Sequence, residues 1–198
     1  QDNIINELFE KLVRDAKYLK RKNEIEKFNI KNKIKKKGIA ITPVKFGISF
    51  TTIHLNQAGA LVHLYTDGSV YLNHGGIEMG QGTHTKIAQV VANSFGLPYE
   101  KVKISSTNTT KVPNTSASAA SSTTDLNAAA ALNATKKKKK NLEKFIKDKY
   151  KIFSKEEPIY KNQSIIFGNR SFDFKKIVME AYLNRVSLSS SGFYSTPK

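Results

Sequence analysis

The stretch His74-Gly75-Gly76-Ile77-Glu78-Met79-Gly80-Gln81-Gly82 is the first place where residue types and spacing could do chemistry. It stands between a strand-like run and a helix-like run. Glycines at such a junction let backbone N–H groups approach a bound group closely, and a helix N-terminus favours an anion such as a phosphate ester. The usual nucleotide signatures are not met. Thr85 stands where a dinucleotide fingerprint needs glycine, and Lys86 is out of place for a phosphate loop. A tight turn with one helix cap accounts for the same pattern without any ligand. Glu78, the only carboxylate in the stretch, suits accepting N–H bonds inside the turn better than catalysis. His54, His63, His74 and His84 are too scattered for a local metal set, and no His-x-x-x-His pair occurs.

The second candidate is the run from Val112 to Ser122, rich in small and hydroxyl-bearing residues. Such a loop can wrap a polar ligand with exposed N–H and O–H groups. Composition alone favours the reading as linker.

The elements that must position these loops are legible in part. Ala60–Thr66 and Ser69–Asn73 flank Asp67-Gly68, a strong hairpin turn. Thr83–Phe95 reads as a helix with Ile87, Val90 and Val91 on one face, stopped by Gly96. Val102–Ser105 reads as a strand, and Asp125–Thr135 as an alanine-rich helix. Residues 3–20 form an amphipathic pattern that Asp2 or Asn3 can cap, and 21–37 a basic connector. Ile39–Pro43 reads as a short strand and Lys45–Thr52 as extended chain. Lys136–Lys140 is a charge run, read as a solvated face. Residues 141–170 are poorly patterned apart from a helical piece at Leu142–Tyr150, and Ser171 can cap a last helix, Phe172–Asn184. The expected fold is α+β: a mixed sheet with a β-hairpin and packed helices. The expected division is a helical basic segment (1–37), an α+β core (38–135), and a lysine-rich connector with a C-terminal helix (136–198).

The chain has 198 residues, no cysteine and a formal net charge of +17. The lack of cysteine excludes disulfides and thiolate-bound clusters within these residues. No apolar run reaches the length of a membrane span, about 18–20 residues. The charge alone points to a basic nucleic-acid-binding protein, but arginine and aromatic residues do not interleave with the lysines. Gln1 at the start, with no Met, reads as a cut through a longer chain.

Several motifs then fall into an order that resembles one family. These are Lys45–Thr51, Leu55–His63, Tyr65–Val70, Gly75–Lys86, Val112–Ser116 leading to Ala119-Ala120-Ser121, and Ser187–Ser189 with Gly192-Phe193-Tyr194. They resemble the molybdenum hydroxylases of the xanthine dehydrogenase type, in their molybdopterin-binding region. The likeness runs from about residue 24 to 197 and is dense from Gly38 to Asn127.

The resemblance implies an internal piece of a purine-hydroxylating enzyme (hypoxanthine or xanthine to uric acid), with aldehyde oxidase as the alternative within the family. It implies molybdenum–molybdopterin as cofactor, with Gly80, Gln81, Gly82, Ala120 and Ser121 holding it. The backbone of Ala120 would lie near the molybdenum without a side-chain ligand. Phe50 and Thr51 would face the purine substrate. The rest of the parent polypeptide would carry two 2Fe–2S clusters and FAD, pass electrons to NAD or oxygen, and form a homodimer in the cytoplasm or peroxisome. The family's Gly-Glu-Pro-Pro motif, which bears its catalytic glutamate, is absent here, so no catalytic residue is assigned and the chain alone is expected to be inactive. Thr83, Ser106 and the lysine run depart from the family pattern.

Overall fold

A computed structural model describes residues 3–110, 114–153 and 157–197. The chain divides into two compact units, residues 1–47 and 48–198. The division falls at 47/48 rather than 37/38, because residues 38–47 are largely exposed and the sheet starts only beyond them.

The first unit holds α1 (Ile5–Asp15) and α2 (Tyr18–Lys31). The N-cap of α1 is Ile4 rather than Asn3; the Asn3 carboxamide accepts from the Ile5 N–H at 3.1 Å one position earlier, and Asp2, the other candidate cap, lies outside the described residues. The left-handed Lys17 (φ 50°) breaks the expected single helix. The expected connector then forms α2, whose Leu, Lys, Arg and Glu are good helix formers. Residues 39–43 join no ladder among the described residues, so the strand expected there does not form. A strand needs a neighbour for its N–H and C=O groups.

The second unit is built on a four-stranded mixed sheet. It comprises β1 (Gln57–Leu64), β2 (Val70–His74), β3 (Val102–Ile104) and, far along the chain, β7 (Ser189–Ser195). The order is β3-β2-β1-β7; β2–β3 is parallel and the other two pairings are antiparallel. The Asp67–Gly68 hairpin forms as expected, with the Asp67 carboxylate accepting from the Ser69 N–H at 2.8 Å. Three helices complete the unit: α3 (Thr83–Phe95), α4 (Thr123–Tyr150) and α5 (Phe174–Leu183). On α3 the buried face is Ile87, Val91 and Phe95, one helical turn apart, and Val90 is only half-buried. Left-handed Gly96 stops that helix.

Helix α4 packs against β1 and β7. It runs unbroken across 135/136, where a boundary was expected, because alanine and lysine are both good helix formers. Its buried stripe is Leu126, Ala130, Ala134, Lys138, Leu142 and Ile146. Lys138 therefore corrects the reading of the lysine run as a solvated face. Its side chain is fully buried, and its ammonium donates to the Ser187 carbonyl at 2.5 Å.

A second, antiparallel sheet follows: β4 (Ile159–Lys161), β5 (Ser164–Phe167) and β6 (Arg170–Asp173). It takes up Ser171 and Phe172, so the cap of α5 is Asp173, whose carboxylate accepts from the Lys176 N–H at 2.8 Å.

Candidate functional site

Strand β2 ends at His74, away from the hairpin, and the glycine stretch begins there. Glu78 organises it. Its carboxylate accepts from the N–H groups of Gly80, Gly82 and His84, each at 2.9 Å. These bonds, from His84 first and then Gly82, hold the Glu78 carboxyl below its usual range. The first turn of α3 therefore carries its own anion, and this answers the ligand-free reading of the stretch. A phosphate at that helix end would have to displace Glu78. Gly80 (φ 98°) and Gly82 (φ 77°) take left-handed backbone that the turn needs and side chains resist. The Gln81 side chain is used inside the turn. It accepts from the Met79 N–H at 2.6 Å and donates to the Ile77 carbonyl at 2.8 Å.

His74 is buried and holds the start of the turn: its Nδ1 accepts from the Gly76 N–H at 3.1 Å. Burial pushes its pKa down to about 4, with His84 adding to the effect. The two rings meet edge to face, 5.0 Å between centroids.

The glycine turn is tied to the small-residue run. The Ile77 N–H donates to Ser118 Oγ at 2.8 Å, and the Gly75 N–H to Asn127 Oδ1 on α4 at 3.1 Å. The two sequence candidates thus form one wall system. Between them lies a cleft of 450 Å³, lined by Gln81 and Lys86 on one side, Ser118, Ala120 and Ser121 on the other, and Thr124 at the start of α4. Gly80 and Gly82 shape the turn from behind and do not line the cleft.

Ala120 and Ser121 are successive non-glycine residues at φ 52°. Such backbone costs on the order of 1–3 kcal/mol per residue and concentrates where a ligand is held. Their N–H groups bond to none of the described residues. Donors without a partner among the described residues on one wall, and on the other the Lys86 ammonium, which donates to the Gln81 carbonyl at 3.0 Å, suit an oxygen-rich, anionic group.

The other sequence candidates sit next door. The Ser49 N–H donates to the Ala120 carbonyl at 3.0 Å, which places Phe50 beside the second loop. Buried Asn56 grips the Phe50 backbone on both sides, accepting from its N–H and donating to its carbonyl, each at 2.8 Å. Ser116 Oγ reaches the Leu55 carbonyl. Phe50 is half-buried and Thr51 exposed, and neither lines the cleft. Val112 and Pro113 lie outside the described residues.

Sequence reasoning missed Asn56, Lys86, Thr124 and Asn127 as site residues, while Ser118 lies in the small-residue run singled out there. All lie in the stretch where the family likeness is dense or in the loops themselves, but their partners are distant in sequence. A larger cavity, 830 Å³, lies at the hairpin end of the sheet beside Tyr65 and Leu188 and contains none of the loop residues.

A mixed sheet whose one end carries a glycine turn facing a strained small-residue loop defines an α+β domain with a polar cleft between the two loops. The family model described as molybdopterin cofactor-binding domain matches residues 11–198, and the chain belongs to that family. It is 46% identical over 189 residues to xanthine dehydrogenase/oxidase of Rattus norvegicus, covering 96% of this chain and 13% of the relative. It is 42% identical over 193 residues to xanthine dehydrogenase of Calliphora vicina, covering 98% and 13%. The chain thus spans only a small part of the curated relatives it matches. Among solved structures it resembles the CO dehydrogenase of Oligotropha carboxidovorans, with TM-score 0.63, 21% identity, 71% of this chain and 18% of that one. It also resembles quinoline 2-oxidoreductase of Pseudomonas putida 86, with TM-score 0.59, 18% identity, 72% and 19%. Both likenesses support the fold. No described helix is long and apolar enough to cross a membrane.

Proposed function

We propose that this chain supplies part of the molybdopterin site and substrate pocket of a purine-hydroxylating molybdenum oxidoreductase. The observation that carries the reading is the cleft shared by Gln81 and the left-handed Ala120–Ser121 pair. Ala120 and Ser121 offer free N–H donors to the cofactor, Lys86 and Thr124 add charge and hydroxyl contacts, and Gln81 is held at the rim by its own turn. Gly80 and Gly82 set the path of that turn. Molybdenum–molybdopterin, when bound, supplies the oxygen transfer and electron uptake; the protein's part is to bind and orient. Ala120 is small, so its backbone can come close to the metal end without a side-chain ligand. Phe50, positioned by Asn56, would stack on a purine, and Thr51 would hydrogen-bond it.

The parent protein would carry the catalytic carboxylate, two 2Fe–2S clusters and FAD in other segments. It would deliver electrons to NAD or oxygen and act as a homodimer. The purine reading over the aldehyde one rests on the Phe50–Thr51 pair.

Equilibrium dialysis of the chain against molybdopterin, scored by bound phosphorus, tests the cofactor role. Retention that falls several-fold in Ala120→Val, which fills the close-approach position, is the expected result. Equal retention by the wild type and this variant would overturn the assignment.

A further inference from the structure

The lysine run 136–140 plays no part in the cofactor cleft, and the fold separates it into two groups. Lys137 and Lys138 turn toward the C-terminal segment, donating to the carbonyls of Ser191 (3.0 Å) and Ser187 (2.5 Å). Lys136, Lys139 and Lys140, spaced i, i+3 and i+4, share another face of α4. That face lines a second cavity of 450 Å³, closed on its other sides by Ser94, Pro158 and Tyr160.

The charge in this cavity is unbalanced. Lys139 is half-buried. Its ammonium donates to the Ser94 carbonyl at 3.0 Å and lies 4.2 Å from the centre of the Tyr160 ring. Burial lowers its pKa, the Glu157 carboxylate opposes that shift, and Lys136 adds a smaller lowering through like charge. None of Lys136, Lys139 and Lys140 forms an ion pair within 4 Å among the described residues. Among the described residues two carboxylates line the cavity. Glu143 is committed to Lys147 at 2.6 Å, which leaves Glu157 as the other carboxylate beside three lysines. The local excess is about two positive charges, which one dianion would neutralise. The Ser94 carbonyl, at the negative end of α3, is already covered by Lys139 and does not repel the anion directly.

We propose that this cavity binds a small dianionic oxyanion of the phosphate class, with Lys136 and Lys140 as its direct ligands and Lys139, anchored by Ser94 and Tyr160, as its floor. Lysine binds phosphate as a point charge, and a concave site lined by three lysines concentrates the field that draws one in. The site is separate from the cofactor cleft and does not depend on the cofactor reading.

Titration of the chain with inorganic phosphate at low ionic strength, followed by amide NMR, tests the proposal, with methyl phosphate and chloride as parallel probes. Saturable shifts at Ser94, Lys139 and Tyr160 are expected with both phosphates and not with chloride at equal ionic strength. A response to inorganic phosphate alone would mark a free-ion site; a response to both, a site open to phosphate esters. The double variant Lys136→Gln/Lys140→Gln should weaken binding at least tenfold. Lys103→Gln/Lys175→Gln, two exposed lysines outside the cavity, should stay within twofold of the wild type. Equal weakening in both double variants would make the effect one of overall charge and overturn the site, as would the absence of any saturable shift.

Discussion

Lowering the pH from 7.5 to 4 should destabilise this chain through His74 before any carboxylate contributes. The ring is buried, and its Nδ1 accepts the Gly76 N–H, so the folded state holds it neutral with its proton on Nε2. Its pKa falls from 6.5 to about 4, burial being the main cause. Between those values the unfolded chain binds a proton that the folded chain does not. Stability therefore rises with pH across that window; it is fully present above 6.5 and lost toward 4. At 1.36 kcal/mol per pH unit the ceiling is about 3.4 kcal/mol, and about 3 kcal/mol of it is gone by pH 4. Glu78, whose carboxyl lies below its usual 4.5, affects stability only at the acid end of the range. Urea unfolding at half-unit pH steps, for wild type and His74→Gln, isolates the effect. Glutamine can still accept the Gly76 N–H but does not titrate. The variant should show a flat profile from pH 6.5 to 5, where the wild type slopes. The same slope in both proteins would refute the assignment to His74.

Other consequences can be checked by similar means. A Cβ at Gly192 would lie 2.0 Å from the Ala130 carbonyl oxygen and 2.4 Å from the Ala134 nitrogen, both backbone atoms of α4. Gly192→Ala should thus cost about 3 kcal/mol or more by chemical denaturation, against no loss for Gly38→Ala, where nothing lies within 4 Å. Lys138→Ala should cost about 2–4 kcal/mol, from a cavity and an orphaned Ser187 carbonyl, whereas Lys138→Met, which fills the cavity but still leaves that carbonyl without its donor, should cost only about 1–2 kcal/mol. The purified chain, with no Gly-Glu-Pro-Pro glutamate and no cysteine for a cluster, should not oxidise xanthine or hypoxanthine above a cofactor-only control; losing the general base alone removes about 10²–10⁴-fold.

How far the sequence could be read depended on whether the signal was local. The Asp67–Gly68 turn, the Gly96 stop and the role of Glu78 follow from residues within a few positions of each other, and each formed as read. Lys138 could not be placed from composition, since burial of one lysine in a run of five depends on β7 and the Ser187 loop, some fifty residues on. The β4–β6 sheet was missed because its strands have only three or four residues each. Its turns, at the left-handed Asn162–Gln163 pair and at Gly168-Asn169, were not read from the sequence either. The two candidate loops were matched to a family through motif order. Their meeting rests on side chains such as Ser118 and Asn127 that carry no signal alone.

The central claim is that Gln81, on the turn set by Gly80 and Gly82, and the Ala120–Ser121 pair line one molybdopterin site. Amide NMR of the chain during anaerobic titration with molybdopterin tests it most directly, because weak binding is enough to move resonances. The account predicts saturable shifts at Gly80, Gln81, Ala120, Ser121 and Thr124 that titrate together with a single dissociation constant. Shifts at only one of the two loops, or none at saturating cofactor, would contradict it.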